Sequence, residues 1–251
     1  MSNLNIEKYP SIIARPYNLA CQQDEQWKDL LRFTFENLMT VLASYAASDL
    51  LNIYLSAKNP LEEDEASEGD SNDKLIHTLK NIPELKRIGL EQMSLGKWAG
   101  LLRETTKILG QYTGQAFVPE FPKLFQPAGG NELWKNIDKL ISIRNQDAHG
   151  SIIPPDKLAE ELKKRQEILE NILRKCNFLE NYSIAVFNRL VIDSDSQQVL
   201  GNKFSNTGSE EILAPTVLAP PLNEVILVDN KMTGFIKLRP LMLYAPPKTL
   251  K

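Results

Sequence analysis

The residues best suited to chemistry in this chain lie together in the stretch ISIRNQDAHG, residues 141–150. Arg144 supplies a guanidinium that stays protonated and can hold two oxygens of a phosphate or carboxylate at once. His149, five positions on, supplies an imidazole. Its ordinary pKa near ~6.5 lets it give or take a proton at neutral pH. Asn145 lies between them and carries an amide that both donates and accepts, so it can hold an anion or orient the ring. This set suits anion binding coupled to proton transfer. The competing reading is structural: a histidine at a helix end is stabilised by the helix dipole, and the arginine then ties helices together.

The pattern around these residues predicts what positions them. Residues 131–147 read as a helix with Leu133, Ile137, Leu140 and Ile141 on one face. Arg144 falls four residues after Leu140 and seven after Ile137, on the core-facing stripe. A charge there is costly unless it is paired or lines a cleft. Gly150 ends the helix beside His149, so both side chains are expected to point into one groove.

Four further helices are expected. The first runs from about 24 to 56, capped by Asp24, with a stripe of Trp27, Leu30, Leu31, Phe35, Leu38, Leu42, Tyr45 and Leu50. A short one covers 74–79. Another begins at the cap Ser94, runs to about 109 and stops at Gly110 and Gly114. The last opens at Pro154–Pro155–Asp156 and runs to about 179, with Leu158, Leu162, Leu169, Ile172, Leu173 and Cys176 on its buried edge. Its basic residues, Lys157, Lys163, Lys164, Arg165, Arg174 and Lys175, alternate with Glu160, Glu161, Glu167 and Glu170, which reads as a solvated face.

From Tyr182 the helical period disappears. YSIAVFNRLVI reads as a strand, and NEVILVDNKMTGFIKLRPLMLY as two or three more, with a turn at Asp229–Asn230–Lys231. The stretch 193–223 is rich in Ser, Asn, Gly and Pro and reads as loops. The fold class is therefore mainly α. It comprises an N-terminal extension (1–23), a helical bundle (24–180) and a small β-rich subdomain (181–251).

Charge bears on the partner. The chain has 29 basic and 32 acidic residues, a net charge of −3. An acidic flexible loop is expected at 58–73, and LEEDEASEGDSND within it holds seven of those acids and no base. The remainder has 29 basic against 25 acidic residues, so it is cationic. The two cysteines, Cys21 and Cys176, lack metal-ligand spacing, and Cys176 reads as a buried reduced thiol. No HExxH, GxxxxGK[ST], GxGxxG or GxSxG pattern occurs, so no metal and no cofactor is expected. No apolar run suggests a membrane span or a secretion signal, and the expected location is cytoplasmic.

RNQDAHG resembles the R-N-x-x-x-H form of the Arg-x(4–6)-His motif of HEPN domains. FENLMTVLASYAASDLL on the first helix, around Phe35–Glu36, and SLGKWAGLLRE at 94–104 resemble bacterial members of that superfamily. The resemblance spans about 24–180. It implies a helical bundle that usually dimerises, and for many members a metal-independent endoribonuclease of defence or toxin-type systems. Others are silent adaptor or nucleotide-binding modules. In the nuclease reading Arg144 binds the scissile phosphate, His149 acts as acid or base, and Asn145 orients one of them. Glu36, Arg103 and Asp147 are possible supports, Glu36 by pairing with Arg144 or Arg103. His77, the other histidine, reads as structural or exposed. One histidine per chain implies a homodimer in which two copies supply acid and base. RNA is the expected substrate, and a regulatory protein partner is plausible for such an effector.

Overall fold

The computed structural model describes residues 4–23, 25–57, 85, 93–112, 114–125, 132–150, 153–192, 197–205, 208–215, 218 and 220–238. The expected acidic loop, the helix at 74–79, His77 and the cap Asp24 lie outside the described residues, as do residues 239–251.

The architecture is mostly helical with a five-stranded antiparallel sheet at the C-terminal end. The helices are α1 (Ser11–Ala20), α2 (Trp27–Ala57), α3 (Leu95–Leu109), α4 (Glu120–Leu124), α5 (Glu132–Ala148) and α6 (Pro155–Lys175). The strands are β1 (Tyr182–Ile192), β2 (Gln197–Ser205), β3 (Gly208–Pro215), β4 (Ile226–Asp229) and β5 (Phe235–Lys237), in the order β3-β2-β1-β4-β5.

α2 is the axis of the bundle. Every residue from Val41 to Leu51 is buried, including Ser44, Ser48 and Asp49. A helix that is apolar nearly all round must be surrounded, and α2 packs on α1, α3, α6 and β5. By length and apolarity alone its residues Trp27–Ser56 pass for a membrane span, but 78% of that stretch's most apolar window is buried within the fold. Asp49 sits in this interior and accepts hydrogen bonds from the backbone N–H groups of Phe117 (2.8 Å) and Val118 (2.9 Å), which anchors the segment before α4. Burial pushes its carboxyl up to about 6, against the opposing pull of those two donors.

Several expectations hold. Ser94 caps α3 by accepting from the Lys97 N–H at 3.4 Å. Helices appear at Glu132–Ala148 and from Pro155 onward, and β1 spans the whole of YSIAVFNRLVI. The last helix is shorter than expected. It stops at Lys175, and a 3-10 turn over Asn177–Asn181 leads into β1. The Cys176 thiol is buried, which pushes it up to about 12.

Two expectations need correction. The first 23 residues are not only an extension, because α1 buries Ile13, Ala14, Tyr17 and Ala20 in the bundle. Pro16 inside α1 hid it, since proline has no N–H to give the carbonyl four residues back. That carbonyl, on Ile12, instead accepts the Asn37 side-chain amide at 2.7 Å from α2. The second correction concerns 193–223, read as loops, which contains β2 and β3. The register of β2 on β1 pairs Phe187 with Gly201. A Cβ at 201 would come within 2.5 Å of the Val186 carbonyl oxygen and 2.7 Å of the Phe187 Cα. Glycine is therefore required in this strand by close backbone approach rather than by a loop. A bulge between Phe187 and Arg189 follows directly.

Candidate functional site

Arg144 lies on α5 one turn past the buried Leu140, and its side chain is 38% exposed. Its Nε donates to Glu36 Oε1 at 3.0 Å. The expected pairing with α2 is therefore present, and Arg144 is the partner. Glu36 is 29% exposed and meets α5 where the two helices come together. Because the bond uses Nε, the two terminal amino groups of Arg144 have no hydrogen-bond partner among the described residues. Those two groups form the edge that holds a phosphate in bidentate fashion.

Arg144 opens onto a notch between α2, α5 and α6, lined by Lys28, Leu31, Arg32, Phe35, Leu140, Ile143, Asp147, Arg165 and Leu169 as well. Four of the lining side chains are cations and one is a carboxylate. Asp147 is the hub of the opposite wall. It accepts from Arg165 Nη1 at 2.6 Å and Nη2 at 3.3 Å, and Lys28 approaches it at 3.4 Å. Burial alone would raise the Asp147 carboxyl. The Arg165 hydrogen bonds and charge, with Lys28 behind them, outweigh it and hold the group below its ordinary range. Arg165 and Asp147 are 13% and 14% exposed. The Arg165 Nε is buried without a hydrogen-bond partner among the described residues.

The notch holds about 40 Å³ of solvent, room for a water or two and far less than a nucleoside needs. Within one subunit it can receive a charged oxygen or two but not a base.

His149 and Asn145 are placed differently. His149 closes the last turn of α5, its N–H donating to the Asn145 carbonyl at 3.0 Å and to the Gln146 carbonyl at 3.2 Å. Gly150 follows with φ +82°, the left-handed cap that ends the helix. Both His149 and Asn145 are exposed, and neither side chain has a partner among the described residues. His149 is not among the residues that line the notch. The expectation that both side chains point into one groove is thus not met within a single chain. Five residues along a helix rotate two side chains by about 140° and separate them by about 7.5 Å along the axis. Arg144 faces the notch, and His149 stands at the last turn of α5, outside the notch lining.

Arg103 is not part of this site. Its Nη2 donates to both carboxylate oxygens of Asp138, at 3.0 and 3.3 Å, and its guanidinium carbon lies over the Trp134 ring 4.3 Å from the centroid, joining α3 to α5. Conversely, Arg165 and Lys28 were missed as site residues. The alternating charges of α6 read Arg165 as part of a solvated face, yet it lies three residues after Leu162 and four before Leu169, both buried. That spacing puts it on the inner edge of α6. Among the described residues no cluster of three or more His, Cys, Asp or Glu side chains is placed to hold a metal ion.

Comparison with known proteins yields no match: no family model, no curated protein and no solved structure is similar to this chain. The HEPN resemblance therefore rests on the residues themselves.

Proposed function

We propose that the chain is a HEPN-like endoribonuclease that cleaves single RNA strands without a metal ion, as an effector of a bacterial defence or toxin-type system. One observation carries this reading. Glu36 fixes Arg144 through Nε and leaves its two terminal amino groups unpartnered among the described residues, at a cationic notch, with an exposed histidine five residues further along the chain.

In this reaction the RNA 2′-oxygen attacks the adjacent phosphorus as a base removes its proton. The bond from phosphorus to the 5′-oxygen breaks, and an acid protonates that leaving oxygen. The products are a 2′,3′-cyclic phosphate and a 5′-hydroxyl, with no water consumed. Arg144 neutralises the charge that builds on the non-bridging oxygens. His149 supplies the proton transfer, and Asn145 orients the phosphate or the ring. One chain brings one such histidine, so a two-fold dimer would supply the acid and the base from two copies of His149. A cleft shared by two copies also removes the size limit of the single notch. The protein works in the cytoplasm in this reading, under a protein regulator.

The test is incubation of the purified protein with total RNA in the presence of a chelator. Cleavage to cyclic-phosphate ends is expected, and His149→Ala should reduce it at least ~100-fold with an unchanged melting temperature. A strictly monomeric protein with full activity overturns the dimer. The rival reading is a silent adaptor in which the same bundle only binds a partner. It is favoured by the absence of any group orienting the His149 ring within the described chain. It wins if the wild type never cuts RNA.

A further inference from the structure

We propose that the Phe33 ring and the Arg32 side chain form a shelf on which one unpaired base of the RNA stacks while an adjacent phosphate occupies the Lys28–Arg144 notch. The proposal rests on the ribonuclease reading only for the identity of the ligand as RNA.

Phe33 is 46% exposed, whereas Phe35 on the same helix is 3% exposed and faces the core. Of the eight large apolar side chains exposed among the described residues, Phe33 is the one with an aromatic ring. The guanidinium of Arg32 lies over the Phe33 ring, 5.0 Å from its centroid. Arg32 also lines the notch. The aromatic surface and the cationic notch are therefore contiguous through a single side chain. Arg32 is itself only loosely held, at 3.3 Å from Asp29 with a 43% exposed side chain, so it can shift toward a phosphate. Lys28 stands one turn earlier on α2, 40% exposed, and reaches the same opening.

Aromatic rings beside cations are how proteins hold single-stranded nucleic acid, since every base has a face that stacks and every nucleotide carries a charge. The notch volume fits the same division of labour. It takes phosphate oxygens and leaves the base outside, where Phe33 offers a flat apolar surface. A base locked in a duplex cannot reach such a shelf, so the arrangement selects unpaired strands. A second copy of the chain covering Phe33 is the main competitor, and it predicts a different outcome below.

The experiment measures binding of a fluorescent single-stranded RNA oligonucleotide by anisotropy, using His149→Ala so that the probe survives. Phe33→Ala is expected to weaken binding about tenfold and Phe33→Trp to restore it. An oligonucleotide with abasic positions should bind the Phe33 protein as weakly as the intact strand binds Phe33→Ala. The matching duplex should bind more weakly than the single strand. Lys28→Ala and Arg32→Ala should each lower the salt dependence of binding by about one charge. The shelf is overturned if Phe33→Ala and the abasic strand leave affinity within twofold. It is also overturned if Phe33→Ala converts a dimer to a monomer in sedimentation, which would assign the ring to a protein interface. Cleavage by wild type with unchanged Phe33→Ala binding removes the shelf and leaves the nuclease. Phe33-dependent binding without cleavage by wild type does the reverse.

Discussion

Two arginines of the bundle, Arg103 and Arg144, both meet a carboxylate at 3.0 Å, yet only Arg144 also lines the cationic notch. Arg103 spends one terminal amino group on both oxygens of Asp138 and lays its plane on Trp134. It is held from the end and from the face, as a structural bolt between α3 and α5. Arg144 is held only at Nε, from behind, with its far edge unpartnered among the described residues. An ion pair by itself therefore does not mark a functional arginine. What sets Arg144 apart is its place in the lining of a cationic notch, whereas Arg103 lies over the Trp134 indole.

The sharpest way to break this comparison is to truncate both. Arg144→Ala is expected to reduce RNA cleavage about 100- to 1000-fold, the usual cost of losing one donor to a developing oxyanion. Arg103→Ala should leave cleavage within about threefold once its effect on folding is corrected for. Equal losses in the two variants, measured as single-turnover rates, would erase the distinction.

A second test concerns the other wall of the notch. Removing the Asp147 carboxylate leaves Arg165 largely buried and unpaired. Asp147→Ala should cost about 3 kcal/mol, lowering the melting temperature by roughly 10 °C. If calorimetry finds no loss, the Asp147–Arg165 pair does not hold α5 to α6 as described.

The smallest effect is a pH signature of the interior. The Asp49 carboxyl is raised by burial to about 6 in the folded chain, above its ordinary value of 3.8. Between those values the folded protein binds the proton more tightly than the unfolded one. The contribution of Asp49 to stability is therefore fully present below the ordinary value and is lost as pH rises through about 6. The loss between pH 5 and 7 should be about 1 kcal/mol. Asp49→Asn should flatten that part of the profile in denaturant titrations at several pH values. An unchanged slope would assign the dependence to other groups.

Much of this arrangement was legible in the residues, and the limits have physical causes. α3, α5, α6 and β1 follow from periodicity, a serine cap and a β-branched run, which are local signals. The Glu36–Arg144 pair was legible as one of two options because both residues lie on apolar stripes that must meet. The second wall was not, since Lys28, Asp147 and Arg165 come together only when α2 and α6 pack on the end of α5. Arg165 was hidden by its neighbours Lys163 and Lys164, although its own spacing from Leu162 and Leu169 points inward. β2 and β3 were hidden because their polar residues and Gly201 read as loop. The outlying position of His149 also escaped, because spacing along a helix says little once the helix stops.

The gap that Pro16 leaves in α1 has a consequence for how the chain matures. Emerging from a ribosome, residues 11–20 contain every atom of a helix but not every bond it needs. The carbonyl of Ile12 accepts the side-chain amide of Asn37, which is synthesised two dozen residues later. The contact therefore forms only once α2 has been made, and it ties α1 to α2 across the break in the ladder.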